Sequence, residues 1–199
     1  MDKLQRTYLP AAGHDWALPL YDPLVKLLGG DKARRALLEQ AALGSAHRIL
    51  DIGCGTGTLA TEIKRLHPNA SVVGLDPDPK ALARGRRKAE RAGVSLQFDQ
   101  GFSDELPYPS ASFDRIFSSF MFHHLRPEQK EKTLREVRRV LSPGGSLHLM
   151  DFSKHHGKDD SEDPMLTLMS QAGFAGAKKV REGAMLFGLL RIAYYHAIL

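Results

Sequence analysis

A doubly wound α/β sheet is the fold this sequence predicts, and three observations carry the prediction. Short apolar runs alternate with longer amphipathic ones through five cycles. The first apolar run breaks into three alternate glycines before a helical segment begins. The longer segments carry their apolar residues three and four apart, the spacing of one helix face. Sheets of this kind bind ligands beyond the carboxyl ends of their strands, near the point where strand order reverses.

The elements follow in order. Residues 1–45 form an N-terminal helical extension ahead of the first core strand. Within it Leu18–Leu24 mixes apolar, aromatic and proline residues and reads as packed, irregular chain. Asp31 reads as the cap of a helix to about Leu43, with Ala33, Leu37 and Ala41 as its stripe and Gly44 as its stop. Ile49, Leu50 and Ile52 form the first strand; Gly53, Gly55 and Gly57 follow; Leu59, Ile63 and Leu66 mark the next helix. Val72–Leu75 is the second strand and ends on Asp76. Asp78 caps the following helix, Pro79 opens it and Gly93 ends it. Val94–Phe98 reads as the third strand. Leu106-Pro107-Tyr108-Pro109 is a rigid connection to the fourth, Phe113–Phe117. A helix from about Pro127 to Leu141 turns Leu134, Val137 and Leu141 inward, and Ser142-Pro143-Gly144-Gly145 stops it. Ser146–Phe152 is the fifth strand. Pro164 opens a short helix that closes at Gly173-Phe174. The apolar tail from about Phe187 supplies a last, antiparallel strand; with Arg191 its single Lys or Arg, peripheral contact with a membrane is the weaker reading.

Composition narrows the class. A chain of 199 residues with 42% hydrophobic residues suits one domain with a full core, and no apolar run reaches membrane-spanning length. The single cysteine excludes an internal disulfide framework and points to the cytoplasm. The net charge of +5 raises nucleic acid as a partner. Its sources are runs such as Arg84, Arg86, Arg87, Lys88 and Arg91, which read as a solvated helix face without interleaved aromatics.

Four loops converge at the strand ends: Asp51–Gly57, Asp76, Gly101–Asp104 and Ser118–His124. Glycines allow close approach of a ligand to the main chain, and the helix start beyond them offers free N–H groups. Asp76, roughly 20 residues past the glycines, stands where an acid receives ribose hydroxyls. The register is not that of a dinucleotide site, because the third glycine of G-x-G-x-x-G would fall on Thr58. A nicotinamide-dependent oxidoreductase is therefore the lesser alternative.

The string Asp51-Ile52-Gly53-Cys54-Gly55-Thr56-Gly57 resembles the first motif of class I S-adenosylmethionine-dependent methyltransferases. The resemblance runs from about His47 to Phe152 and includes Leu106-Pro107-Tyr108, Phe113-Asp114 and Arg139–Gly145. Tyr21-Asp22 and Asp151-Phe152-Ser153-Lys154 are similar to ubiquinone/menaquinone-type C-methyltransferases and to bacterial phospholipid N-methyltransferases. It implies a Rossmann-like, seven-stranded sheet, mostly parallel with an antiparallel last strand and helices on both faces. Residues 46–199 would be the methyltransferase domain and residues 1–45 a lid or an edge cover. It implies S-adenosylmethionine as cofactor, S-adenosylhomocysteine as product, and a small-molecule or lipid acceptor attacking through oxygen, nitrogen or carbon. The alternative is a partner subunit that binds the cofactor without turnover. Neither the acceptor atom nor an oligomeric state is written in these motifs.

Carried over by position, the resemblance gives Gly53, Gly55 and Gly57 the amino-acid end of the cofactor, with Asp51 supporting the amino group and Thr56 the carboxylate region. Asp76 would receive the ribose hydroxyls, and Pro77, Phe102 and Ser103 would edge the adenine. Ser118 and Ser119 would lie near the methionine amino group. Many members of the family carry an acid where this chain has Phe102, so stacking and the Ser103 amide, or Asp104 two residues on, would take over there. Base-methylating members carry an Asn/Asp-Pro-Pro-aromatic string where this chain has Ser118-Ser119-Phe120-Met121, which argues against nucleic acid.

A phenol or carbon acid needs a base, and His123 is the candidate, with His124 either beside the acceptor or packed beneath the loop. Tyr8, His14, Asp15, Trp16, Tyr21 and Asp22 are acceptor-site or lid residues. His155, His156, Asp159 and Asp160 form a loose cluster that reads as solvated loop, so no metal is expected. Cys54 is either a small residue in a tight turn or a thiol acidified at a helix start.

Overall fold

The computed structural model describes residue 24 and residues 27–44, 48–153 and 163–199. The helix α1 (Gly30–Ala41) precedes β1 (Arg48–Ile52), α2 (Thr58–Leu66), β2 (Ser71–Asp76), α3 (Pro79–Arg91) and β3 (Gln97–Gln100). Then follow β4 (Phe113–Ser119), α4 (Pro127–Val140), β5 (Leu141–Phe152), α5 (Pro164–Gln171), β6 (Lys178–Met185) and β7 (Leu190–Ile198). One seven-stranded sheet runs β3-β2-β1-β4-β5-β7-β6. Strands β1 to β5 are mutually parallel, and β7 runs antiparallel between β5 and β6.

The chain moves outward from β1 to β3 and then crosses back to β4 on the other side of β1. Order therefore reverses between β1 and β4, and a crevice opens above their carboxyl ends. Register sets the level of that rim: Ile52 lies beside Leu75 on one flank and beside Ser118 on the other.

Alternation across the pleat gives the sheet two buried faces. Leu50, Ile116 and Leu149 join Leu134, Val137 and Val140 of α4 in one core. Ile49, Phe117 and Met150 join Leu37 and Ala41 of α1 and Ile63 of α2 in the other. Each face loses apolar area to its helices, the main driving term for such layers.

Several sequence readings shift. Asp31 is not the cap of α1; Gly29 takes that place with φ near +95°, and Asp31 pairs instead with Arg34 at 2.6 Å. Leu66 leaves the core and is 54% exposed at the end of α2. The third strand is Gln97–Gln100, not Val94–Phe98, because Val73 aligns with Gln97. Val94 and Leu96 pack instead against Leu82, Ala89 and Phe98 beneath α3. The edge strand β6 was unread because Lys178-Lys179-Val180-Arg181-Glu182 shows no apolar alternation. Charged side chains on an exposed edge discourage pairing with other chains. No helix among the described residues is long and apolar enough to cross a membrane.

Candidate active site

The crevice above β1, β2 and β4 is a cleft of about 430 Å³. Its floor is the turn between β1 and α2. The N–H groups of Gly53 and Cys54 both donate to the Leu75 carbonyl, at 2.8 and 3.0 Å, so the turn is tied to the end of β2. Gly53 sits at φ near +68°, and a β-carbon there would lie 2.3 Å from Met121 Cγ. Gly57, the N-cap of α2, has the same φ, and a β-carbon there would meet the Phe98 ring at 2.6 Å. Glycine is required twice over at both positions, by backbone angle and by contact.

Two carboxylates mark the adjoining strand ends. Asp51 is 1% exposed, and its Oδ2 has no hydrogen-bond partner. Burial raises its pKa to about 7, against the lowering effects of the Ala60 N–H and the nearby Arg34. Asp76 is 8% exposed and accepts the Gly55 N–H on Oδ2 and the Asp78 N–H on Oδ1, each at 2.9 Å. Burial raises it to about 6, opposed by those two N–H groups. Each Asp76 oxygen keeps a second lone pair for a hydroxyl donor.

The remaining predicted residues separate into three groups. Gly53, Gly55, Thr56, Pro77, Phe102, Ser103, Ser119 and His124 line the cleft with the two acids. The Ser103 hydroxyl bonds Thr133 Oγ1 at 2.9 Å. Ser118 lies beneath the surface with its hydroxyl unpartnered, Gly57 packs toward α3, and His123 stands outside the lining. Tyr8, His14, Asp15, Trp16, Tyr21, Asp22, His155, His156, Asp159 and Asp160 lie outside the described residues.

After β4 the chain turns sharply through Phe120, whose φ is near +54° and whose N–H donates to the Met150 carbonyl. A 3-10 turn, Phe122–His124, then presents the two imidazoles in different roles. His123 Nδ1 lies 2.7 Å from Asp151 Oδ1 at the end of β5. The His124 ring packs on it with centroids 4.0 Å apart and faces the cleft. Burial, then the His123 charge, lowers the His124 pKa below its ordinary value.

Sequence reasoning missed residues of the wall, among them Arg34 from α1, and Leu125, Arg126 and Gln129 around the start of α4. It also misread the basic face of α3. Arg86 donates to the Phe98 carbonyl at 2.8 Å, and Lys88 reaches Thr56 Oγ1 at 3.0 Å and Thr58 Oγ1 beside it. An ammonium at the N-terminus of α2 adds to the positive end of that helix. Cys54 is not an acidified thiol: burial and the two acids push its pKa up.

Residues 49–145 match the family described as Methyltransferase domain. A demethylmenaquinone methyltransferase of Deinococcus radiodurans is 39% identical over 137 residues, covering 67% of this chain and 56% of that protein. One from Thermus thermophilus is 41% identical over 137 residues, covering 67% and 61%. The chain thus spans less than two thirds of the length of these curated relatives. Among solved structures, a phosphoethanolamine N-methyltransferase 2 of Haemonchus contortus in complex with S-adenosyl-L-methionine superposes with TM-score 0.77 at 15% identity, over 94% of this chain and 58% of that one. A SAM-dependent methyltransferase of Aquifex aeolicus gives 0.64 at 20%, over 88% and 92%. At these identities the structural likeness shows the fold.

Proposed function

The chain belongs to the class I S-adenosylmethionine-dependent methyltransferases, and from that premise we propose that it methylates the ring of a quinone-type small molecule. The observation that carries the cofactor half is the pair Asp51 and Asp76, buried at neighbouring strand ends and lining one cleft. The residues present fit the cofactor: Asp51 Oδ2 is an unpartnered buried acceptor, and the glycine turn leaves main chain bare. When bound, S-adenosylmethionine supplies a methyl group on a positively charged sulfur, already activated for in-line transfer.

The chain's own residues then hold and exclude. Asp51 takes the ammonium, and Asp76 takes the ribose hydroxyls on its remaining lone pairs. Gly53, Gly55, Thr56 and Ser119 border the amino-acid end, with Ser118 behind them; Pro77, Phe102 and the Ser103 main chain border the base. Gly57 shapes the turn from below. His124, neutral near pH 7 because burial lowers it, accepts the proton of an acceptor hydroxyl, and His123 is fixed beside it by Asp151. A methyl transfer gains mainly from position and from a site poor in water.

The quinone half rests on the relatives' names and on the residues shared with them. We keep residues 1–45 as a lid or an edge cover, with Tyr8, His14, Trp16 and Tyr21 as acceptor-site candidates, and the protein as cytoplasmic from its single cysteine. The test is transfer of labelled methyl from S-adenosylmethionine to short-chain naphthoquinol and benzoquinol acceptors, with binding of S-adenosylhomocysteine measured in parallel. Label in the ring supports the reading. Cofactor binding without label in either acceptor overturns the quinone half; no binding overturns both.

A further inference from the structure

Arg34 is a buried cation that, among the described residues, has no salt-bridge partner lining the cleft. It is 9% exposed, lines the cleft, and its Nε has no hydrogen-bond partner. Among the described residues its one ion pair, Nη2 to Asp31 at 2.6 Å, is to a neighbour on its own helix. Across the cleft Asp51 feels its charge, yet no salt bridge joins them. A guanidinium and a carboxylate buried in one cavity, each with an unused polar atom, are costly unless a ligand satisfies both. A zwitterion does so: its ammonium meets Asp51 and its carboxylate meets Arg34.

We propose that Arg34 is the carboxylate receptor for the amino-acid end of the cofactor, so that α1 is part of the cofactor site. This rests on reading the cleft as that site. The helix is built to hold the side chain in place. Ala33, Leu37 and Ala41 are buried against the sheet, the Tyr194 hydroxyl donates to the Ala33 carbonyl at 3.3 Å, and Gln40 donates to the Tyr195 carbonyl at 3.0 Å. Arg34 stands one position after Ala33, on the flank of α1 that turns to the strand ends. A planar fork suits a carboxylate better than a point charge does. Cofactor binding would then tie α1 to the turn after β1.

The test compares three ligands by isothermal titration: S-adenosylhomocysteine, its decarboxylated form, and 5′-methylthioadenosine, which lacks the amino-acid end. Arg34→Gln should weaken S-adenosylhomocysteine about tenfold or more and leave the other two unchanged, with Arg34→Lys between. Retained 5′-methylthioadenosine binding shows that the variant's cleft is folded. Equal weakening of all three, or no weakening, overturns the proposal. Hydrogen exchange on the unaltered protein checks it independently. S-adenosylhomocysteine should slow the amides of Gly30–Ala41, and 5′-methylthioadenosine should not; equal protection by both overturns it. If the unaltered protein binds none of the three, the cofactor reading itself falls.

Discussion

Asp151 holds His123 at two points: Oδ1 lies 2.7 Å from the ring Nδ1, and Oδ2 accepts the His123 main-chain N–H at 2.9 Å. The same Oδ1 accepts the N–H of Phe152, whose ring stands edge-on to His123 at 4.8 Å. One carboxylate at the end of β5 thus sets the place of the loop after β4, the tilt of His123 and, through ring packing, that of His124. Replacing it by Asn leaves one acceptor where two are needed. Asp151→Asn should lower kcat about tenfold or more, with the S-adenosylhomocysteine Kd within twofold of the parent. Loss of cofactor affinity in step with kcat would assign Asp151 to the cofactor pocket instead.

Asp76 has two duties that a pair of variants separates. Its oxygens satisfy the Gly55 and Asp78 N–H groups, and they face the cleft. Asp76→Ala strands both donors, at about 1–3 kcal/mol each, and should abolish measurable S-adenosylhomocysteine binding. Asp76→Asn keeps one acceptor and should be the more stable variant while still binding at least tenfold more weakly than the parent. Urea titration and calorimetry on the same samples separate the two effects.

Strands β1, β2, β4 and β5, the caps of α3 and the cluster of loops at the strand ends were legible, because apolar runs and turn residues act locally. Strand β6 was not, because its sequence answers to an edge and not to a core. Val94–Leu96 looked like strand and is not, since pairing is set by where β2 runs. In the site, Asp51 and Asp76 stood at the ends of apolar runs and were readable. Arg34 and Asp151 were not read as site residues, because each reaches the site across elements distant in sequence. Lys88, like Arg86, was hidden in a run of like charges whose solvated look conceals its inward bonds.

Gly53 and Met121 form a contact that only a double variant can expose. A β-carbon at Gly53 would stand 2.3 Å from Met121 Cγ and 2.8 Å from its Cβ, with φ near +68° besides. Gly53→Ala should cost about 1–2 kcal/mol for the backbone angle and more for the clash. Adding Met121→Ala removes the closer contact, with Cγ, and leaves the contact with Cβ and the angle. The double variant should therefore lose less stability than the sum of the single ones, by about 1 kcal/mol in chemical denaturation. Strict additivity would mean that the loop after β4 simply moves aside.

Asp51 ties cofactor affinity to pH. Its carboxyl is raised to about 7 in the cleft, so near neutrality it is partly protonated. An ammonium brought against Oδ2 favours the ionised form, and binding below that value releases a proton. Affinity for S-adenosylhomocysteine should fall as pH drops from 8 to 6, approaching about tenfold per unit below pH 7. Calorimetry in buffers of different ionisation enthalpy reads the released proton directly. Asp51→Asn should bind more weakly at pH 8 and show no such release.

His148 links stability to pH with the opposite sign from the two cleft acids. It is buried on β5, stacked between Phe117 and His196, with Ser146 Oγ 2.9 Å from its Nε2. Burial, then His196 and Arg115, lower its pKa from 6.5 to about 3. A histidine lowered in the folded state binds its proton more readily when unfolded. Its contribution is fully present above pH 6.5 and is lost as pH falls from there toward 3, at up to about 1.4 kcal/mol per unit. Asp51 and Asp76 are raised by folding, so their contribution is present below pH 3.8 and is lost as pH rises toward 6 and 7. Between about pH 4 and 6 the histidine and the acids therefore pull against one another. Comparing His148→Gln with the parent isolates one side. The stability deficit of the variant should be largest at pH 7 and shrink toward pH 4, because only the parent carries the buried imidazole. A deficit that stays constant from pH 7 to pH 4 would show that His148 becomes protonated without unfolding.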